Sequence, residues 1–166
     1  MIINISDLIR KNISKKEINV VLDSKNIIDS YETIDILEPI KVEGVISKIE
    51  ATISLDGVIT GKIVLSCSRC LNDFNYDLDI EFHEELTNNP DSKDEDLIFI
   101  NNDNFDLTKI VENNIIMSLP IQRLCKNDCK GLCTVCGGNL NVDSCDCENS
   151  NYDPRFAKLK NLFSNN

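Results

Sequence analysis

Eight cysteines in a chain of 166 residues constrain this protein more than any other feature, because their spacing is that of metal ligands. They fall into two unequal groups. Cys67-Ser-Arg-Cys70 is a C-x2-C pair standing alone, and the other six are Cys125, Cys129, Cys133, Cys136, Cys145 and Cys147. The opening stretch, MIINISDLIRKNISKK, has neither the apolar run nor the small-residue cleavage site of a secretory signal. No run approaches the roughly 18 apolar residues of a membrane helix. A cytoplasmic location is therefore expected, where thiols stay reduced. Eight cysteines in such a compartment point to metal or redox chemistry rather than to structural disulfides.

Zinc takes four soft ligands in a tetrahedron, with Zn–S near ~2.3 Å. A C-x2-C turn sets two thiolates on one side of the ion and lets backbone N–H groups reach the sulfurs. Cys133-Thr-Val-Cys136-Gly137-Gly138 is such a knuckle, with glycines that allow the chain to turn at positive φ. Cys145-Asp-Cys147 follows after a short loop, so Cys133, Cys136, Cys145 and Cys147 are expected to close one site locally. Cys125 and Cys129 are then left for Cys67 and Cys70. That second set would clip a β-rich region to a distant segment and make metal binding part of folding. Two structural Zn²⁺ ions would use all eight thiols, which agrees with this partition without fixing it. Exchanges such as Cys129 with the knuckle stay open.

Other chemistry competes with this reading. Four thiolates also suit an iron–sulfur cluster, although the knuckle glycines favour zinc. A redox C-x2-C pair usually opens a helix in a βαβ unit, whereas strands flank Cys67 and Cys70. A catalytic zinc keeps an open position and commonly uses His or carboxylate ligands. The sole histidine, His83, reads as a surface residue on the polar face of a strand. No Ser/His/Asp set, P-loop or Rossmann fingerprint is present. No catalytic residue is assigned, and the chain is read as a non-enzymatic binding protein.

Charge narrows the partners. The net charge is −11, and two zinc–tetrathiolate sites would take it to about −15. Residues 73–120 carry two basic and thirteen acidic side chains and account for the whole imbalance. Bulk Coulomb attraction to nucleic acid is excluded, so any RNA contact needs a local basic surface. Arg69, Arg123, Lys126 and Lys130, beside the cysteines, are the candidates. The acidic region offers a docking surface for a basic protein as the alternative, against the plainer reading of a solvated loop.

The hydrophobic pattern predicts an α+β fold: an antiparallel β-sheet core with a packed helix, a zinc-knuckle region and a terminal helix. Ile2 to Ile5 reads as a short strand, Ser6-Asp7 as the cap of a short helix carrying Leu8 and Ile9, and Glu17 to Leu22 as a strand. Pro39 to about Leu86 reads as antiparallel β, with Asp56-Gly57 as a hairpin turn. Tyr76, Leu78, Ile80 and Phe82 alternate with Asp77, Asp79, Glu81 and His83, the signature of a half-buried strand. Residues 87–96 read as an acidic loop and LIFI at 97–100 as a strand. Asp106 is the expected N-cap of a helix carrying Leu107, Ile110, Val111, Asn114 and Ile115, ended at Pro120. Asp153-Pro154 opens the terminal helix. The division expected is a β-rich α+β domain over 1–120 and a cysteine-rich zinc module with a terminal helix over 121–166, joined through a shared zinc site.

In LSCSRCL (65–71), DLTKIVENNIIMSLPIQRLC (106–125), CKGLCTVCGGNLN (129–141), Cys145-Asp-Cys147 and DPRFAKLKNLF (153–163), the chain resembles the YceD family, the large ribosomal RNA subunit accumulation proteins. Some members of that family lack the glycine-rich second cluster but keep the first C-x2-C and ligands after the Leu-Pro. The resemblance thus implies the pairing of Cys67 and Cys70 with Cys125 and Cys129. It also implies a role in 23S rRNA accumulation or processing during large-subunit biogenesis, with 23S rRNA, an assembly intermediate or a basic ribosomal protein as partner. The family is commonly encoded beside a large-subunit ribosomal protein, which fits.

Overall fold

The fold is that of a computed structural model, which describes residues 1–10, 13–28, 33–49, 52–87, 97–100 and 103–147. Its frame is a sheet of long strands. In chain order the elements are β1 (Ile2–Asn4), α1 (Ser6–Arg10), β2 (Lys15–Leu22), β3 (Asn26–Ile28), β4 (Thr33–Ile49), β5 (Thr52–Ser66), β6 (Asp73–Thr87), β7 (Ile98–Phe99), β8 (Asn104–Asp106) and α2 (Leu107–Ser118). The main sheet runs β2-β4-β5-β6-β7, with β3 on the first part of β4, and β1 pairs β8 in a separate ribbon. The α+β architecture expected from the pattern is the observed one.

Alternation builds the sheet. Along β6 every second residue points inward, with Leu78, Phe82 and Leu86 buried and the intervening acids exposed. The register places Ile59 beside Ile80 and Val42, and Leu55 beside Ile46, so one face carries a continuous aliphatic layer. Ile40, Ile46, Leu55, Ile59, Ile63 and Leu65 are essentially removed from solvent. With no tryptophan in the chain, the core is built from Ile, Leu and Val, with Phe82 and Phe105 as the buried aromatics among the described residues.

Two expectations need correction. Asp56-Gly57 is not a turn: β5 runs straight through it, and Gly57 lies opposite Gly44 of β4. A Cβ at Gly57 would sit 2.7 Å from the Glu43 carbonyl oxygen and 2.9 Å from Phe82 Cε1. The glycine thus permits close approach of backbone and ring inside a strand, the other use of this residue. β4 ends at Ile49 and β5 begins at Thr52, so residues 50–51 join them. The sheet is also not wholly antiparallel, because Leu86 and Thr87 of β6 pair in parallel with Ile98 and Phe99. A parallel neighbour requires a crossover rather than a tight turn, and residues 88–96, outside the described ones, separate the two strands. The terminal helix expected after Asp153-Pro154 also lies outside the described residues.

α2 begins as its sequence dictates. The Asp106 carboxylate accepts the Thr108 N–H at 3.1 Å, capping an orphan donor of the first turn. Leu107, Ile110, Val111 and Ile115 are buried. Leu119 leaves the helix in an extended conformation, as expected before Pro120. Asn114 reaches from α2 to Glu84 of β6, its amide donating to Oε1 at 2.6 Å. The helix is therefore locked to the sheet before the chain enters the cysteine-rich segment.

Candidate metal centre

Cys67 and Cys70 occupy the loop that joins β5 to β6. The hairpin closes above its last pair, Ser66 with Asp73, where the Cys67 N–H donates to Asn72 O at 2.9 Å. Leu71 takes a positive φ of 59° and its N–H donates to Cys67 O at 3.0 Å, completing a tight turn with both thiols on one side. The segment after α2 folds onto this tip. Ser68 N–H donates to Arg123 O at 2.7 Å, Leu132 N–H to Arg69 O at 3.2 Å, and the Arg69 guanidinium to Cys129 O at 2.9 Å. These contacts bring Cys125 and Cys129 to Cys67 and Cys70, and the four Sγ atoms lie within 4.8 Å of one another.

The distances decide what this tetrad suits. Cys67 Sγ is 3.8 Å from Cys129 Sγ, and Cys70 Sγ is 3.7 Å from Cys125 Sγ. A tetrahedron with metal–sulfur bonds of ~2.3 Å has an edge of about 3.8 Å. A disulfide would need about 2.05 Å. Cys67, Cys70 and Cys129 are buried, with Phe74, Leu124 and Leu132 packed around them. The donor set is four soft sulfurs, two of whose edges have the tetrahedral length and three of which are buried, and it fits a zinc site.

The second tetrad, Cys133, Cys136, Cys145 and Cys147, converges within the same limit. It is built locally. Cys133 N–H donates to Gly138 O at 2.8 Å, Gly137 N–H to Cys133 O at 2.9 Å, and Val135 N–H to Cys133 Sγ at 3.4 Å. Gly137 takes a φ of 73° with open space around it, so there the need is conformational. Gly138 does not share that positive φ, contrary to the expectation for both glycines. Cys136 is exposed, so this tetrad is the more open of the two.

Within each tetrad the thiols titrate as a set. A hydrogen bond from the Cys125 backbone, against the opposing effect of burial, lowers Cys67 to about 6, while burial and neighbouring thiols push Cys125 up to about 12. In the second set, the Cys136 backbone N–H lowers Cys133 to about 6, and the Cys136 side chain pushes Cys147 up to about 12. Four sulfurs this close cannot all ionise against one another. A divalent cation removes that conflict.

The remaining candidates sort clearly. Arg69, Arg123, Lys126 and Lys130 all belong to the segments that enclose the first tetrad. Arg69 and Arg123 carry the contacts given above; Arg69, Lys126 and Lys130 are exposed and Arg123 is half-buried. His83 is exposed on β6, with Nδ1 2.5 Å from Asp56 Oδ1, and belongs to neither tetrad. Reasoning from the sequence passed over Asn141, whose amide Nδ2 donates to Cys129 Sγ at 3.3 Å. The available signal was an amide side chain between two halves of a thiolate cluster, where sulfur anions need N–H donors.

Comparison with known proteins places the chain in a family. A family model described as "Large ribosomal RNA subunit accumulation protein YceD" matches residues 55–163, which takes in both tetrads. The chain belongs to the YceD family. Among similar proteins, YlbN of Bacillus subtilis (strain 168), named as uncharacterized, is 30% identical over 129 residues, covering 76% of this chain and 75% of that one. The chloroplastic YCED homolog 1 of Arabidopsis thaliana, named as a large ribosomal RNA subunit accumulation protein, is 24% identical and covers 95% of this chain. Its Zea mays counterpart is 25% identical over 75% of this chain. The match spans 56% and 54% of the two plant proteins, little more than half of each. No solved structure matches the chain. Among the described residues no helix is long and apolar enough to cross a membrane.

Proposed function

We propose that this chain is a non-enzymatic, cytoplasmic zinc protein required for accumulation of 23S rRNA during large-subunit biogenesis, with one structural Zn²⁺ in each cysteine tetrad. The observation that carries the proposal is the pair of Sγ separations near 3.8 Å in a YceD-family chain. Cys67, Cys70, Cys125 and Cys129 would hold one ion, and Cys133, Cys136, Cys145 and Cys147 the other. Four thiolates saturate zinc and leave no position for a substrate, so the ions act by fixing structure. The first ion would join a domain over 1–120 to a module over 121–166.

The rigid surface so formed would meet rRNA phosphates through Lys126 and Lys130, with Arg69 and Arg123 beside them, since phosphate contacts position a protein without reading sequence. A second reading is supported by β6. Asp73, Asp77, Asp79, Glu81 and Glu85 stand exposed along one face of that strand, and such a row repels RNA and attracts a basic ribosomal or processing protein. Depletion of the protein should lower the 23S to 16S rRNA ratio, and a Cys70→Ser/Cys125→Ser variant should fail to restore it. An unchanged ratio on depletion would sink the proposal. Crosslinking to 23S rRNA that is lost when all four basic residues become alanine supports direct contact. Capture of basic ribosomal proteins that survives nuclease treatment supports the adaptor.

A further inference from the structure

Residues 139–141 lie between the two halves of the second tetrad, yet their polar groups meet the first. Leu140 N–H donates to Gly131 O at 3.0 Å, and Asn139 forms a β-bridge with Leu132, whose own N–H is held by Arg69 O. Asn141 goes further and reaches a thiol. One N–H of its amide donates to Cys129 Sγ at 3.3 Å and the other to Asn139 Oδ1 at 2.9 Å. Its Oδ1 accepts the Lys130 backbone N–H at 2.9 Å.

That network admits one orientation of the amide. The Lys130 N–H can only donate, so the Asn141 oxygen must face it, and the NH₂ group is then turned onto the sulfur. A flipped amide would set an oxygen against Cys129 and a donor against a donor. The Asn141 backbone N–H is also held, by Asn139 Oδ1 at 2.9 Å. The amide is therefore aimed by its own loop, and that loop is bounded by Cys136 and Cys145.

We propose that Asn141 is a positioning residue that couples the two metal centres: zinc in the second tetrad fixes the 139–141 loop, which holds the Asn141 amide on Cys129 and tightens zinc retention in the first. The inference rests on the reading that both tetrads hold zinc. A hydrogen bond to the ionised form favours that form, and partners behind a ligand typically contribute about ten- to hundredfold in metal affinity. Linkage makes the coupling reciprocal, so zinc in the first centre steadies the second by the same factor.

The test uses the full chain, Zn²⁺ alone and reducing buffer, with first-centre affinity read by chelator competition. Four proteins complete a cycle: wild type, Cys133→Ser/Cys136→Ser, Asn141→Leu, and the combination. Loss of the second centre should weaken the first about tenfold. Asn141→Leu should weaken it by a similar factor while both ions still bind at saturating zinc. The combination should add little to either change alone. A residue that only braces the loop would give additive losses instead, and additivity overturns the coupling. Asn141→Asp keeps an acceptor for Lys130 N–H but places a carboxylate against the thiolate, so a drop at least as large is expected with the loop intact. First-centre affinity within twofold of wild type in both Asn141 variants overturns the proposal and leaves the zinc reading standing. A wild-type protein that takes up no zinc sinks that underlying reading instead.

Discussion

Serine at Cys125 separates the two tetrads and tests their partition. A structural zinc site contributes an apparent ~10–16 kcal/mol. Shared among four ligands, this is roughly 2.5–4 kcal/mol per thiolate, or about 10²- to 10³-fold in affinity at ~1.4 kcal/mol per decade. The structure places the loss at the lower end of that range. Cys67 and Cys70 stay on their hairpin, closed by the Cys67 N–H on Asn72 O, and Cys129 stays tied to Arg69. Three preformed thiolates therefore remain, and a loss of about a hundredfold is expected. Native mass spectrometry and thiol counting should show two zinc ions falling to one in Cys125→Ser at a chelator level that leaves wild type loaded, with Cys67, Cys70 and Cys129 becoming reactive. Cys136→Ser should do the converse. Coupling through Asn141 moves the opposite centre only about tenfold, so an intermediate chelator concentration resolves the two effects. If Cys125→Ser frees Cys133, Cys145 or Cys147 in place of its own tetrad, the ligand partition is wrong.

Two further outcomes follow from the sheet. Gly57→Ala drives a methyl group toward the Glu43 carbonyl at 2.7 Å and the Phe82 ring at 2.9 Å, so thermal denaturation should show a loss of about 1–3 kcal/mol; a neutral result refutes the close strand approach. The pKa of His83 is raised above its usual value, first by its hydrogen bond to Asp56. Because the folded value is the higher one, the pair stabilises the fold below pH ~6.5 and loses that contribution as pH rises through the folded value. The effect on stability is small for so exposed a pair. As His83 is the sole histidine, its NMR titration is unambiguous, and Asp56→Asn should bring the value down; an unmoved titration removes Asp56 as the cause.

Much of the fold was legible because local chemistry and tertiary environment agree. The Tyr76–His83 alternation gives β6, and Asp106 with the apolar spacing behind it gives α2. Asp56-Gly57 misled for a physical reason. A short acid before glycine favours a tight turn, but the same glycine also relieves crowding between neighbouring strands, and only the partner strand reveals which need applies. The two-residue parallel pairing of β7 leaves no local imprint, since a short apolar run reads alike in either direction.

The sequence by itself determined that sulfur dominates the second half of the chain and that aliphatic alternation builds a sheet, and it made local closure of one knuckle the expectation. Those are properties of residue type and spacing within a turn or a strand. Only the tertiary structure decided that the β5–β6 hairpin tip meets the segment after α2, because Cys70 and Cys125 are 55 positions apart and no local rule measures that gap. The same holds for Asn141. Its amide acquires a direction only when Lys130, Asn139 and Cys129 surround it, and a hydrogen bond is a property of the neighbours as much as of the residue.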